Sequence, residues 1–179
     1  RQVEKKIHKG YKILEKIDFG QLPFDNEVVE LVTTSGHFVG TGYLSEQNKG
    51  LGWVISTKKI TLDQDYFCHI FAEAKSKRQS YYQSELDTAF RIFNQEGDGF
   101  GGLTIDLYED YAVFSIYNSF VYQIRELIVA AFQEVLPEVL GGYEKIRFKD
   151  PGYESAHLFG QKAPETFCIL ENGVRYQVF

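Results

Sequence analysis

The chain has 179 residues, 19 Lys plus Arg against 25 Asp plus Glu for a formal charge of −6, and 44% apolar residues. Such a composition excludes a disordered polymer and suits one or two small domains with a sizeable core. No apolar run reaches the roughly 18 to 20 residues that span a bilayer, no basic-then-apolar leader opens the sequence, and no membrane partner is expected.

Cys68 and Cys168 are too few for a disulfide framework and lack a Cys-x-x-Cys spacing, so the expected compartment is a reducing cytoplasm. Residues 1–78 carry 12 Lys/Arg and 10 Asp/Glu, whereas residues 79–179 carry 7 and 15, so a net charge of +2 is followed by one of −8. That split predicts a basic module joined to an acidic one, with a polyanionic partner meeting the first. The lack of Met, the start at Arg1 and the stop at Phe179 inside an expected strand predict a piece of a longer polypeptide.

At about 100° per residue, Val3, Ile7, Gly10, Leu14 and Ile17 fall in one sector of a helical wheel and Lys5, Lys9, Lys12 and Lys16 in the opposite one. The expectation is an amphipathic helix over 1–17, or two short turns joined at Gly10, because Gly costs about 1 kcal/mol relative to Ala inside a helix. From Glu27 the period changes. Val28 to Val32, Phe38 to Leu44 and Leu51 to Ile55 read as a three-stranded antiparallel meander broken at Ser35-Gly36 and Asn48-Lys49-Gly50. Asp63 caps a helix expected over 64–82, with Phe67, Phe71 and Ala74 on its buried stripe and Lys75, Lys77 and Arg78 in a later turn. Strands are expected at Ala89 to Asn94, Leu103 to Tyr108 and Tyr111 to Tyr117. A helix capped by Ser119 follows, with Phe120, Ile124, Leu127, Ile128, Ala131 and Val135 on its apolar face and Pro137 at its end. A strand over 144–149 and a hairpin turning at Asn172-Gly173 complete the chain.

The segment Gly97 to Gly102 has the glycine content of a phosphate cradle, but no Gly-Lys-Ser/Thr ending, and it joins two strands instead of feeding a helix. Glu96 and Asp98 would repel phosphate, so a tight connection serving geometry is favoured. It also lacks the oxygen-ligand spacing of a calcium loop. His8, His37, His69 and His157 are scattered, with no metal-ligand spacing. Cys68 and His69 diverge by about 100° on a helix, so Cys68 reads as a packed thiol, and Cys168 as a strand residue. Asp106, Glu109 and Asp110 form an acidic cluster that reads as a solvated turn. Lys5, Lys9, Lys12 and Lys16, joined by Lys49, Lys58 and Lys59 of the meander, are candidates for an RNA phosphate backbone, with Tyr43 and Trp53 candidates for base stacking or for the core.

The nineteen residues Phe90-Arg91-Ile92-Phe93-Asn94-Gln95-Glu96-Gly97-Asp98-Gly99-Phe100-Gly101-Gly102-Leu103-Thr104-Ile105-Asp106-Leu107-Tyr108 resemble the R-L-x-N-x-E-G-D-G-L-P-G-L-x-x-D-x-Y segment of the S-adenosylmethionine-dependent 23S ribosomal RNA cytosine-5 methyltransferase family. Leu170 to Tyr176 is similar to that family's x-E-x-G-x-x-Y hairpin, and Gly36 to Leu44 to two strands of its PUA domain. Gly101 stands where the family has Pro. The resemblance implies an α+β chain: a small β-rich PUA-like module at 1–78, then a mixed α/β central domain at 79–179, with the Rossmann-like catalytic domain absent. It implies an RNA partner, S-adenosylmethionine as cofactor of the parent protein with none bound here, no catalytic residue in this stretch, and a motif loop carrying Arg91, Asn94, Asp98, Gly99 and Asp106 near a cleft. The other expectation weighed is a non-enzymatic self-association or protein-interaction module, a homodimer through an exposed sheet edge or an apolar patch.

Overall fold

In the computed structural model, which describes residues 2–19, 25–48, 50–149 and 152–179, the amino-terminal unit is a four-stranded antiparallel sheet with a short helix on one face. Its elements are α1 (Gln2–His8), β1 (Ile13–Glu15), α2 (Lys16–Phe19), β2 (Glu27–Val32), β3 (Phe38–Gln47) and β4 (Gly50–Ser56), in strand order β1-β4-β3-β2. The single helix over 1–17 does not form. Gly10 sits at φ +92°, a left-handed turn that ends α1, and Ile13, Leu14 and Glu15 pair with β4, so strand pairing outcompetes the local helical period. Alternation along β3 and β4 gives the sheet two buried faces. Leu44 and Val54 join Ile7, Leu14, Leu31 and Val39 in a small core, while Tyr43, Trp53 and Ile55 face the other way, into the main core.

Helix α3 (Gln64–Lys77) is capped by Asp63, whose carboxylate accepts from the Tyr66 N–H at 2.9 Å. It stops at Arg78 instead of running to 82, and residues Gln79–Tyr82 form a separate turn, α4. The second sheet comprises β5 (Ala89–Asn94), β6 (Leu103–Tyr108), β7 (Tyr111–Ile116), β8 (Gly141–Ile146) and β9 (Ala156–Gly160), in that order. Strands β5, β6 and β7 are antiparallel, β7 and β8 are parallel, and β9 returns antiparallel along β8. The parallel step needs a crossover, supplied by α5 (Ser119–Gln123) and α6 (Arg125–Val135), which break at Ile124. The cap of α5 is Asn118, one residue earlier than expected, and β8 begins three residues earlier than expected.

Helices α3, α5 and α6 lie on one face of this sheet over a core dense in aromatics. Phe71 meets Phe93 edge-on at 5.2 Å and Phe132 at 5.7 Å, and Phe114 meets Phe132 at 4.9 Å. The hairpin β10 (Phe167–Glu171) and β11 (Val174–Val178) docks beside β5, where the Thr88 N–H donates to the Leu170 carbonyl at 2.9 Å. Asn172 and Gly173 at φ +52° and +75° make the expected turn.

The expected fold class is corrected here. An α+β chain with nothing Rossmann-like does not describe a mixed sheet whose β7–α5–α6–β8 step is a parallel βαβ unit, the building block of Rossmann-like folds.

Candidate nucleic-acid interface

The glycine-rich segment is filled by protein. A Cβ on Gly101 would lie 2.2 Å from Cδ2 of Trp53, so only glycine lets this strand of backbone lie flat on the indole. The Tyr43 hydroxyl donates to the Gly101 carbonyl at 2.7 Å, and Gly102, at φ +86°, would bring a Cβ within 2.5 Å of both that hydroxyl and the Asn118 amide nitrogen. Phe100 stacks on the Tyr43 ring at 5.3 Å, and Phe120 at 4.5 Å from the other direction. At Gly101 and Gly102 the loop therefore locks the PUA-like sheet onto the mixed sheet, and protein atoms occupy the space a ligand would need there. Base stacking by Tyr43 and Trp53 is corrected by the same facts: Tyr43 is 0% exposed and Trp53 6%, so neither ring is open to a nucleobase.

Asn118 is the hub that sequence reasoning missed. Its side chain caps α5 by accepting from the Val121 N–H at 3.0 Å, donates to the Tyr43 hydroxyl at 2.9 Å and donates to Gln47 Oε1 at 3.0 Å. A second bridge joins the units where the hydroxyls of Ser45 and Ser119 each donate to Asn26 Oδ1 at 2.7 Å. The available signals were a serine inside the apolar run of β3 and an Asn-Ser pair before an apolar helix.

The remaining motif residues sit at the other end of the loop. Asp98 is buried and receives Nη2 of Arg78 at 2.6 Å, Nζ of Lys77 at 3.4 Å and the Asn94 N–H at 2.8 Å. Burial alone would raise its carboxyl, but the Arg78 guanidinium, the Asn94 N–H and Lys77 outweigh it and hold the group below the usual value. Gly99 offers its carbonyl to the Tyr66 hydroxyl at 2.8 Å, and burial pushes that phenol up to about 12. Arg91 makes a two-pronged pair with Asp106, at 2.8 and 3.2 Å. Arg91 and Asn94 line a cleft of about 680 Å³ together with Lys77, Arg78, Tyr81 and Asn172.

The lysines do not share one helix face. Lys5 lies on α1, Lys9 just beyond it, Lys12 in the connection to β1, and Lys16 opens α2 with its ammonium held by Glu46. Lys5, Lys9, Lys12 and Lys58 have no ion-pair partner among the described residues, while Lys59 is held by Glu30 at 3.0 Å. Lys49 falls outside the described residues.

Cys68 is a packed thiol. Its Sγ lies 3.8 Å from the Ala131 carbonyl, and burial, with Glu134 and Asp65, pushes the thiol up, away from the thiolate that nucleophilic chemistry needs. Cys168 is exposed on β10. No helix among the described residues is long and apolar enough to cross a membrane.

Residues 1–57 match the model of the PUA-like domain. Over 97% of its length the chain is 34% identical to YwbD of Bacillus subtilis (strain 168), whose name places it provisionally among the ribosomal RNA large subunit methyltransferases. It is 30% identical over 85% of its length to ribosomal RNA large subunit methyltransferase I of Aliivibrio fischeri. The crystal structure of SMU.776, provisionally described as a methyltransferase and complexed with SAH, shares 55% identity over 98% of this chain with a TM-score of 0.93. A structure described in similar terms as a SAM-dependent methyltransferase from Streptococcus mutans matches at 0.92. The chain is thus homologous to ribosomal RNA large subunit methyltransferases and carries a PUA-like domain, and it spans 40 to 46% of the length of these relatives.

Proposed function

We propose that this chain is the RNA-binding and substrate-positioning part of an S-adenosylmethionine-dependent ribosomal RNA methyltransferase acting at cytosine carbon 5 in the cytoplasm. The observation that supports it most is homology, along nearly the whole chain, to proteins named for ribosomal RNA methylation. On this reading residues 1–78 hold RNA through Lys5, Lys9, Lys12 and Lys58, and residues 79–179 orient the substrate, with Arg91 and Asn94 at the cleft.

Cytosine-5 chemistry supports a positioning role for this stretch. Carbon 5 becomes nucleophilic only after a thiolate adds at carbon 6 of an extruded base, so a low-pKa cysteine and a methyl donor must converge on one pocket. Cys68, with its thiol pushed up, is ill suited to that addition. The backbone at Gly101 and Gly102 is packed against Trp53, Tyr43 and Asn118 and does not fit the adenosyl donor, so no step of the transfer is assigned to it.

Two titrations test the proposal. Fluorescence anisotropy with structured RNA is expected to give binding that weakens with salt, the four lysines contributing about −3 to the logarithmic slope at roughly −0.7 per phosphate on single strands. Reversal to Glu at Lys5, Lys9, Lys12 and Lys58 should remove that contribution. Calorimetry with S-adenosylmethionine is expected to show no saturable heat. A flat salt response, or stoichiometric donor binding, would reject the corresponding half.

A further inference from the structure

The helices cover one face of the five-stranded sheet; on the opposite face Thr104 and Ser115 are buried, and the side chains around them are partly exposed. Leu103, Ile105 and Leu107 of β6 and Ala112, Phe114 and Ile116 of β7 point into the core, so the alternate residues Tyr108, Val113 and Tyr117 point away from it, partly exposed. On β8 the same face carries Tyr143 and Lys145, and the chain leaves the strand with Arg147 and Lys149 exposed. The Arg147 N–H donates to the Ile116 carbonyl at 2.8 Å, which extends the parallel pairing and sets Arg147 beside Tyr117.

Two depressions mark this face. A groove of about 500 Å³ is lined by Tyr108, Tyr111, Tyr143 and Lys145, with Glu165 the acid of its described lining. A cleft of about 660 Å³, walled on one side by Gln47 and Asn48 of the PUA-like unit, is lined by Tyr117, Arg147 and Lys149. The acid at that cleft, Glu46, is already held by Lys16, and Asp106 is held by Arg91.

Charge distinguishes the face from the rest of its unit. Residues 79–179 carry 7 Lys/Arg against 15 Asp/Glu, yet three of those cations fall at Lys145, Arg147 and Lys149, every second residue. None has an ion-pair partner among the described residues. Interleaved aromatics and unpaired cations on a sheet face are what a single strand of nucleic acid needs, π-faces for its bases and charges for its phosphates.

We propose that the face of the mixed sheet turned away from its helices is a track for single-stranded RNA, running along β7 and β8 over buried Ser115 from Tyr108 and Tyr143 to Tyr117, with bases stacked on the partly exposed tyrosines and phosphates on Lys145, Arg147 and Lys149. The six residues of β7 give it a length of roughly 20 Å at about 3.3 Å per residue. The inference rests on the RNA-binding reading and adds a second site to it, outside the PUA-like unit.

The test is anisotropy of a fluorescein-labelled uridine dodecamer with the full chain, between 50 and 200 mM salt. Reversing the charges in K145E/R147E/K149E should weaken binding at least tenfold and reduce the salt slope by about 2, three phosphates at roughly 0.7 each. Y108L/Y117L should weaken binding at least fivefold with the slope unchanged, because stacking releases no counterions. Matched circular dichroism melts show that the variants are folded. If K5E/K9E/K12E abolishes binding while K145E/R147E/K149E leaves it intact, the track is wrong and the PUA-like reading stands. Equal loss for a duplex of the same length would reject stacking, since duplex bases are not splayed onto a sheet. If the unaltered chain binds neither RNA at low salt, the RNA reading falls and the track with it.

Discussion

Gly101 shows how a residue of no chemistry can decide an architecture. Its missing side chain is the space the Trp53 indole occupies, and its carbonyl is the acceptor for Tyr43. Gly101→Ala is expected to destabilise the protein by about 1 to 3 kcal/mol through overpacking, read from urea denaturation. In a Trp53→Leu background the same change should cost markedly less, because residues in contact couple non-additively. An equal cost in both backgrounds would show that the strain lies elsewhere. The family resemblance flagged this position as the one where Pro is usual, and the structure gives a reason why a residue without a Cβ stands there.

At the scale of elements, the pairing of buried Asp98 in the 95–98 turn with Arg78 and Lys77 at the end of α3 gives the acid limb of stability. Asp98 has a depressed carboxyl, so its contribution is complete above its ordinary unfolded value near 3.9 and is lost as pH falls through the lower folded value. Asp98→Asn should therefore cost roughly 2 to 4 kcal/mol at pH 7, leaving Arg78 without its partner, and the variant should lose stability less steeply on acidification below pH 4. Glu144 of β8 works in the opposite direction. Burial raises its carboxyl and Arg125, 3.5 Å away, only partly compensates, so its contribution is complete below about 4.3 and declines as pH rises through the raised folded value. Glu144→Gln should sit within about 1 kcal/mol of the parent at pH 7 and flatten that decline, measured as melting temperature against pH.

Strands β2 to β7, helix α3 with its Asp63 cap, and the Asn172-Gly173 hairpin were legible because period, cap and turn chemistry agree there. Strand β1 was not, since Val3, Ile7, Leu14 and Ile17 do satisfy a helical wheel and only pairing with β4 overrides it, leaving Ile17 88% exposed. Strand β9 carries no alternation and exists because β8 offers an edge. Of the candidate site, Arg91 and Asn94 came from the family resemblance, and the helical-wheel grouping of Lys5, Lys9, Lys12 and Lys16 failed because strand pairing puts them on different elements. The burial of Tyr43 was not legible, because an aromatic in a strand reads the same whether it meets a base or a neighbouring domain.

For the molecule as a whole, the main core runs through both units: Tyr43, Trp53 and Ile55 of the PUA-like sheet pack in the same cluster as Phe67, Phe100 and Phe120. Such a joint differs from a polar linker interface, because separating the units would expose stacked aromatics and orphan Asn118, Tyr43 and the Gly101 carbonyl together. The two units should therefore unfold as one. Trp53, the single tryptophan and itself at the joint, is the natural reporter. Its fluorescence and the far-UV circular dichroism of the whole chain are expected to give coincident urea midpoints, the signature of a two-state transition. An earlier fluorescence midpoint would mean that the joint opens before either sheet melts, freeing the two units to move relative to each other. Coincidence would mean instead that the lysines of the first unit and the helix-distal sheet face of the second are held at fixed separation. In that case inserting residues between Ile55 and Asp63 would leave their relative placement unchanged, whereas Tyr43→Ala, which removes the stacked ring, would lower the common midpoint by the equivalent of about 3 to 5 kcal/mol.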